Sequence, residues 1–173
     1  KIIHILRDPR AIYCSLKSGI NTYYKNISED RTDLITSMIV RLNLDLEFKV
    51  INEKLLGKKE YKVIRYEGLV SNPQKVLKEI LNFIHLKYDK KVLIPTVLGC
   101  QSLGNSYIKK ISKISTNNKN TWKKKINTEE LNIIEFFLKN FLIKFRYNFF
   151  LKKINEKFII KFYNELNSKY FFK

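Results

Sequence analysis

Cysteine, proline and glycine are all scarce in this 173-residue chain, at two, three and five residues. Two cysteines cannot build a disulfide scaffold, and no closely spaced Cys/His cluster suggests a zinc site. Cys14 and Cys100 would pair only if the fold brought them together, and they are read as two separate buried thiols. So little Gly and Pro excludes a linker, a collagen-like chain or a low-complexity segment. Long apolar runs are missing too. The richest stretch, Leu131 to Leu151, is interrupted by Glu135, Lys139, Lys144 and Arg146, so it reads as an amphipathic helix and not a bilayer span. No signal peptide is visible. Acid is short as well, with 16 Asp and Glu against 34 Lys and Arg, a net charge of +18.

At 45% hydrophobic and 13% aromatic, the chain has enough apolar surface to fold, and its length suits one domain. The charge favours anionic partners in principle. It is read here as lysine spread over solvated helix faces, because no RNA- or DNA-binding signature accompanies it. A nonenzymatic basic nucleic-acid-binding module is the alternative. The chain opens on Lys1 and runs at once into Ile2-Ile3-His4-Ile5-Leu6. A domain rarely starts inside a strand, so the sequence is read as N-terminally incomplete.

Ile2–Leu6 is a short β-branched apolar run, expected to be a buried parallel strand. Asp8 can cap a helix, and Pro9 suits a first turn because that position needs no amide hydrogen. The spacing predicts a helix from Pro9 to about Tyr24. Leu34, Ile35, Met38, Ile39, Leu42 and Leu46 predict a long helix to about Leu56, ended by Gly57-Lys58-Lys59. Tyr61–Arg65 is a second strand. Asn72-Pro73 repeats the capping grammar ahead of Val76, Leu77, Ile80, Leu81 and Ile84. Residues 86–120 read mostly as loop. Asn127 and Glu130 form a capping-box pattern that starts a helix carrying Ile133, Ile134, Phe137, Phe141 and Leu142. Residues 148–173 read as a basic, aromatic helical extension of a domain over 1–147, packed on it, with a membrane-surface role for 148–173 the less favoured alternative. Strand, helix, strand, helix is α/β grammar and implies a parallel sheet flanked by helices.

In such sheets ligands bind beyond the carboxyl ends of the strands. Arg7 to Arg10 sits at one such end. A helix start offers unpaired amides and a positive dipole end. Arg7 supplies a forked donor suited to phosphate oxygens. Ser15, two turns on, can face the same cleft. Together these make a candidate anion site, against the plainer alternative that Arg7 and Arg10 only form salt bridges.

Lys1–Ser15, KIIHILRDPRAIYCS, resembles the 3′-phosphate-binding segment of sulfotransferases that use 3′-phosphoadenosine 5′-phosphosulfate (PAPS). In that family an Arg after the strand and a Ser eight residues later hold the donor's 3′-phosphate, and Arg7 and Ser15 occupy those places. Tyr61–Leu86 is similar to the family's strand, Tyr-Glu-Asp-Leu turn and Asn/Asp-Pro helix. The resemblance implies that Tyr66 lies near the donor adenine, while Gly68 stands where the family has an acid. Gly104-Asn105-Ser106, Ser115-Thr116 and Asn120-Thr121-Trp122-Lys123, ending near Tyr147, resemble the C-terminal loop and helix of bacterial and carbohydrate-type members. Ser115, Thr116 and Asn117 replace an Arg-Lys-Gly run of the cytosolic branch, so that phosphate contact is not carried over.

The resemblance implies a P-loop nucleotide-hydrolase-like fold, PAPS as co-substrate, and sulfuryl transfer to a hydroxyl or amine without a metal. Such a transfer needs an aligned donor and acceptor, plus positive groups around the moving oxygens. The family's phosphosulfate loop and general base have no counterpart here. The glycines at 19, 57, 68, 99 and 104 lack a Gly-Lys-Ser/Thr context, and His4 and His85 do not match the base. No catalytic residue is therefore assigned, and the chain is expected to be inactive alone. The acceptor is not legible. The bacterial-like third segment suggests cytoplasm, with a Golgi lumen the alternative in which the Asn26-Ile27-Ser28 sequon would matter.

Overall fold

The computed structural model describes residues 1–19, 30–97, 99–101, 113–117 and 119–170. They fall into two units, Lys1–Arg7 with Ile51–Asn120, and Asp8–Val50 with Thr121–Lys173.

The first unit is built on two parallel strands, β1 (Ile2–Leu6) and β2 (Tyr61–Arg65), paired from Ile2↔Tyr61 to Leu6↔Arg65. Both match the sequence expectation to the residue. Their burial does not: Ile2 is 46% and Ile5 53% exposed, and Leu6 alone in β1 is buried. Among the described residues β1 has one neighbouring strand, so continuous apolar character does not bring burial on both faces. From β2 the chain passes into a short helix, α3 (Tyr66–Ser71), and then α4 (Pro73–Phe83). Val76, Leu77, Ile80 and Leu81 are half-buried, the face expected from their spacing. Pro73 takes the first helical position, but Asn72 makes no side-chain cap. His85 ends α4 in the left-handed region (φ 61°), where the Leu86 amide reaches back to the Leu81 carbonyl at 2.8 Å. The stretch expected to be loop holds a 3₁₀ turn (Lys90–Leu93) and a small hairpin of β3 (Thr96–Val97) and β4 (Cys100–Gln101).

Helix α2 (Arg31–Glu60) leads into β2 and leaves helical geometry at Gly57, where φ is 65° and ψ 177°. A Cβ there would meet nothing within 4 Å. Backbone conformation alone demands the glycine.

In the second unit, α1 (Pro9–Gly19) begins at a real cap: the Arg10 amide donates to Asp8 Oδ1 at 3.0 Å. The expected continuation to Tyr24 lies outside the described residues. Asp30 starts α2, accepting the Thr32 and Asp33 amides at 2.7 and 3.1 Å. After α5 (Trp122–Lys125), the capping box forms as expected at α6 (Thr128–Phe137). The single helix expected through Leu142 is instead broken at Leu138 (φ −106°, ψ 23°), and α7 (Lys139–Lys144) follows. Ile133, Ile134, Leu138, Phe141 and Leu142 are completely buried across that break. The last helix, α8 (Glu156–Tyr170), packs on α6 through buried Ile159 and Phe162.

Candidate functional site

Parallel pairing sends both strands' carboxyl ends to the same side. Because Leu6 is opposite Arg65, the next residues, Arg7 and Tyr66, emerge side by side. The Arg7 guanidinium carbon lies 4.7 Å from the centre of the Tyr66 ring. Such a cation–aromatic contact fixes a long side chain while consuming few of its five N–H donors. Arg7 is half-buried, and among the described residues it has no ion-pair partner. Its neighbour Arg65 faces a carboxylate instead, with Nε 3.8 Å from Glu67. The fork left without an acid partner is the one the sequence pattern singled out.

Tyr66 opens α3, and the same short helix ends at Ser71, whose hydroxyl accepts from Lys119 Nζ at 3.0 Å. A Cβ at Gly68 would meet nothing within 4 Å, so an acid would fit there and is simply absent. Ser115 accepts the Asn117 amide at 3.2 Å in a local turn. Gly104, Asn105 and Ser106 lie outside the described residues.

Ser15 stands exposed on α1 in the second unit. Arg10, by contrast, is buried and fully engaged. Its Nε and Nη2 grip the Asp8 carboxylate at 2.9 and 2.8 Å, and Nη1 reaches Glu135 at 2.5 Å and the Asn148 carbonyl at 3.0 Å. Its guanidinium carbon lies 4.4 Å from the Trp122 ring centre. Burial works against its charge, but hydrogen bonds and charge from Asp8 and Glu135 raise its pKa above the ordinary value. Of the two arginines flanking Asp8-Pro9, Arg10 is therefore structural and Arg7 is available.

Sequence reasoning missed the buried polar groups on α6. Glu135, read as interrupting an apolar run, accepts Arg10 and the amides of Phe150 and Leu151. Glu130 accepts the Tyr13 hydroxyl at 2.7 Å and Lys17 at 2.6 Å. Burial and that acceptor together push the Tyr13 phenol far up. His4 contacts the Tyr61 hydroxyl through Nδ1, with the rings edge-to-face. It serves the β1–β2 pair. Both cysteines are free. Cys14 is buried and Cys100 exposed, which corrects the expectation of two buried thiols. No group of three or more metal-ligating side chains occurs among the described residues, and no helix there is long and apolar enough to cross a membrane.

A family model described as "Sulfotransferase family" matches residues 1–90. That span holds both strands, Arg7, Ser15 and Tyr66. Among solved structures, the chain is similar to a "Sulfotransferase Domain from the Curacin Biosynthetic Pathway". The TM-score is 0.55 at 20% identity, over 78% of this chain and 52% of that one. The likeness is one of fold, and the chain spans about half the length of that domain. No curated protein matches. The family match, covering more than half of the residues and centred on the strand–helix junctions just described, establishes that this chain belongs to the sulfotransferase family.

Proposed function

We propose that this chain supplies the nucleotide end of a PAPS-dependent sulfotransferase site, in which a sulfuryl group passes to a hydroxyl or amine acceptor. Arg7 is the 3′-phosphate ligand and Tyr66 the adenine neighbour. Ser15 joins Arg7 as a phosphate ligand on the strength of the sequence resemblance. One observation carries the reading: half-buried Arg7 at the carboxyl end of β1 holds its guanidinium against Tyr66 and forms no ion pair among the described residues. A ligand dianion would take the N–H donors that the ring leaves open. Bound PAPS brings the activated sulfuryl group. This chain's residues bind and orient the nucleotide that carries it.

Calorimetric titration with adenosine 3′,5′-bisphosphate tests the proposal. Binding should be measurable and Arg7→Ala should weaken it by about 1.5–3 kcal/mol, the worth of a charge-assisted hydrogen bond. Equal affinity in the two proteins would remove Arg7 from the site. Without a Gly-Lys-Ser/Thr turn for the phosphosulfate, the chain alone should bind the bisphosphate yet show no transfer from PAPS.

A further inference from the structure

Between Lys139 and Asn155 the sequence carries Lys139, Lys144, Arg146, Lys152 and Lys153 and no acidic residue. The nearest acid before it, Glu135, is buried and neutralised by Arg10. Within the same stretch Ile143 is 56%, Phe149 43% and Phe150 55% exposed, and Lys144, Arg146, Lys152 and Lys153 are exposed as well. Apolar side chains offered to solvent beside a one-signed charge are an expense for a folded domain unless something covers them.

This stretch is held firmly from beneath. Glu135 accepts the amides of Phe150 and Leu151 at 2.8 and 3.1 Å, and Arg10 donates to the Asn148 carbonyl at 3.0 Å. Tyr147 is buried and stacked on Phe141, with ring centres 6.4 Å apart. Arg146 takes the left-handed conformation (φ 55°) that lets the Tyr147 amide close on the Leu142 carbonyl at 2.8 Å. The backbone is fixed while the tips of the apolar side chains are left out.

We propose that the segment from Ile143 to Lys153 is an interfacial anchor for an anionic bilayer surface. Ile143, Phe149 and Phe150 enter the boundary between headgroups and acyl chains, and the flanking Lys and Arg meet lipid phosphates. Exposed apolar side chains interspersed along the sequence with cations suit that boundary, where ordering costs have already been met by folding. A single-stranded polynucleotide suits the patch less well. Ile143 has no aromatic face for a base, and Lys123 lies over the Phe150 ring, 6.0 Å from its centre. The anchor is independent of the nucleotide-site reading. It leaves α8 packed on the domain, as its buried Ile159 and Phe162 require.

Co-sedimentation of the whole chain with phosphatidylcholine vesicles, with and without about 30% phosphatidylserine, tests the anchor. Pelleting is expected with the anionic vesicles and is expected to fall by roughly tenfold or more in Lys152→Glu/Lys153→Glu. It should fall comparably in Ile143→Ser/Phe149→Ser, which keeps the Phe150 ring in its 5.7 Å contact with Trp122. An unchanged thermal transition shows that each variant is folded. Three results would overturn the proposal: no pelleting at low salt, full pelleting by folded Ile143→Ser/Phe149→Ser, or tight binding of a single-stranded oligonucleotide without vesicle binding.

Discussion

Arg7 and Tyr66 are 59 residues apart in sequence, yet the pairing of Leu6 with Arg65 leaves the guanidinium 4.7 Å from the centre of the ring. Any slip of the β1–β2 register would separate them. The strand register thus fixes the contact between the two side chains, and if the pair binds the nucleotide as proposed it should be sensitive to conservative substitution. Arg7→Lys keeps the charge but loses the planar fork and its stacking, so bisphosphate affinity should fall to a value between those of wild type and Arg7→Ala. Tyr66→Leu should weaken binding by about 0.5–2 kcal/mol, through loss of the support under Arg7. A titration in which Arg7→Lys matches wild type would show that charge alone is used.

A second arginine has the opposite role. The Arg10–Glu135 pair is almost completely buried, with side-chain exposures of 4% and 0%. Removing one partner leaves the other charge unpaired in the interior, so Arg10→Ala should cost about 3–5 kcal/mol in urea unfolding. Glu135→Ala should cost a comparable amount, since it also strands the amides of Phe150 and Leu151. The double variant should cost clearly less than the sum of the singles, because the two share one interaction. Additive losses would show that the pair is not coupled.

Much of this is legible in the sequence alone. β1 is a β-branched run that stops where Asp8-Pro9 requires, and β2 begins just after the Gly57 break. The Asn127–Glu130 capping box follows from residues three apart. Arg10 could not be assigned this way, because its second acid, Glu135, is 125 residues distant. Nor could Glu135's burial, since an acid within an apolar run looks the same whether it faces water or a buried guanidinium. The break at Leu138 was hidden for a related reason. Apolar periodicity passes through it without interruption, and only the backbone at Leu138 shows that the helix is broken there.

The two thiols should separate cleanly by reactivity. Burial, reinforced by the nearby Glu130 charge, pushes Cys14 up to about 11, and its Sγ sits 3.9 Å from the Trp122 carbonyl. Thiolate is the reacting species, so at neutral pH Cys14 offers almost none. One equivalent of an aromatic disulfide reagent should react with the native protein at Cys100, and a second only on unfolding. Two fast equivalents in the native state would mean that Cys14 is reachable without global opening.

Acid stability should depend on Glu129. Its carboxylate lies 2.9 Å from Arg31 Nη1 and 3.1 Å from Lys161 Nζ, linking the starts of α2 and α6 to α8. Partial burial raises its pKa, but hydrogen bonds and charge from Lys161 and Arg31 outweigh burial and leave it below the ordinary 4.5. A depressed folded value means that the unfolded chain takes up the proton first as pH falls. The stabilisation is therefore complete above 4.5 and is lost as pH drops through the lower folded value. Glu129→Gln should destabilise the protein at neutral pH and flatten its stability profile below pH 4.5 relative to wild type. Chemical unfolding at a series of pH values would show this directly. Parallel profiles for the two proteins, offset by a constant, would mean that Glu129 contributes through packing and not through its charge.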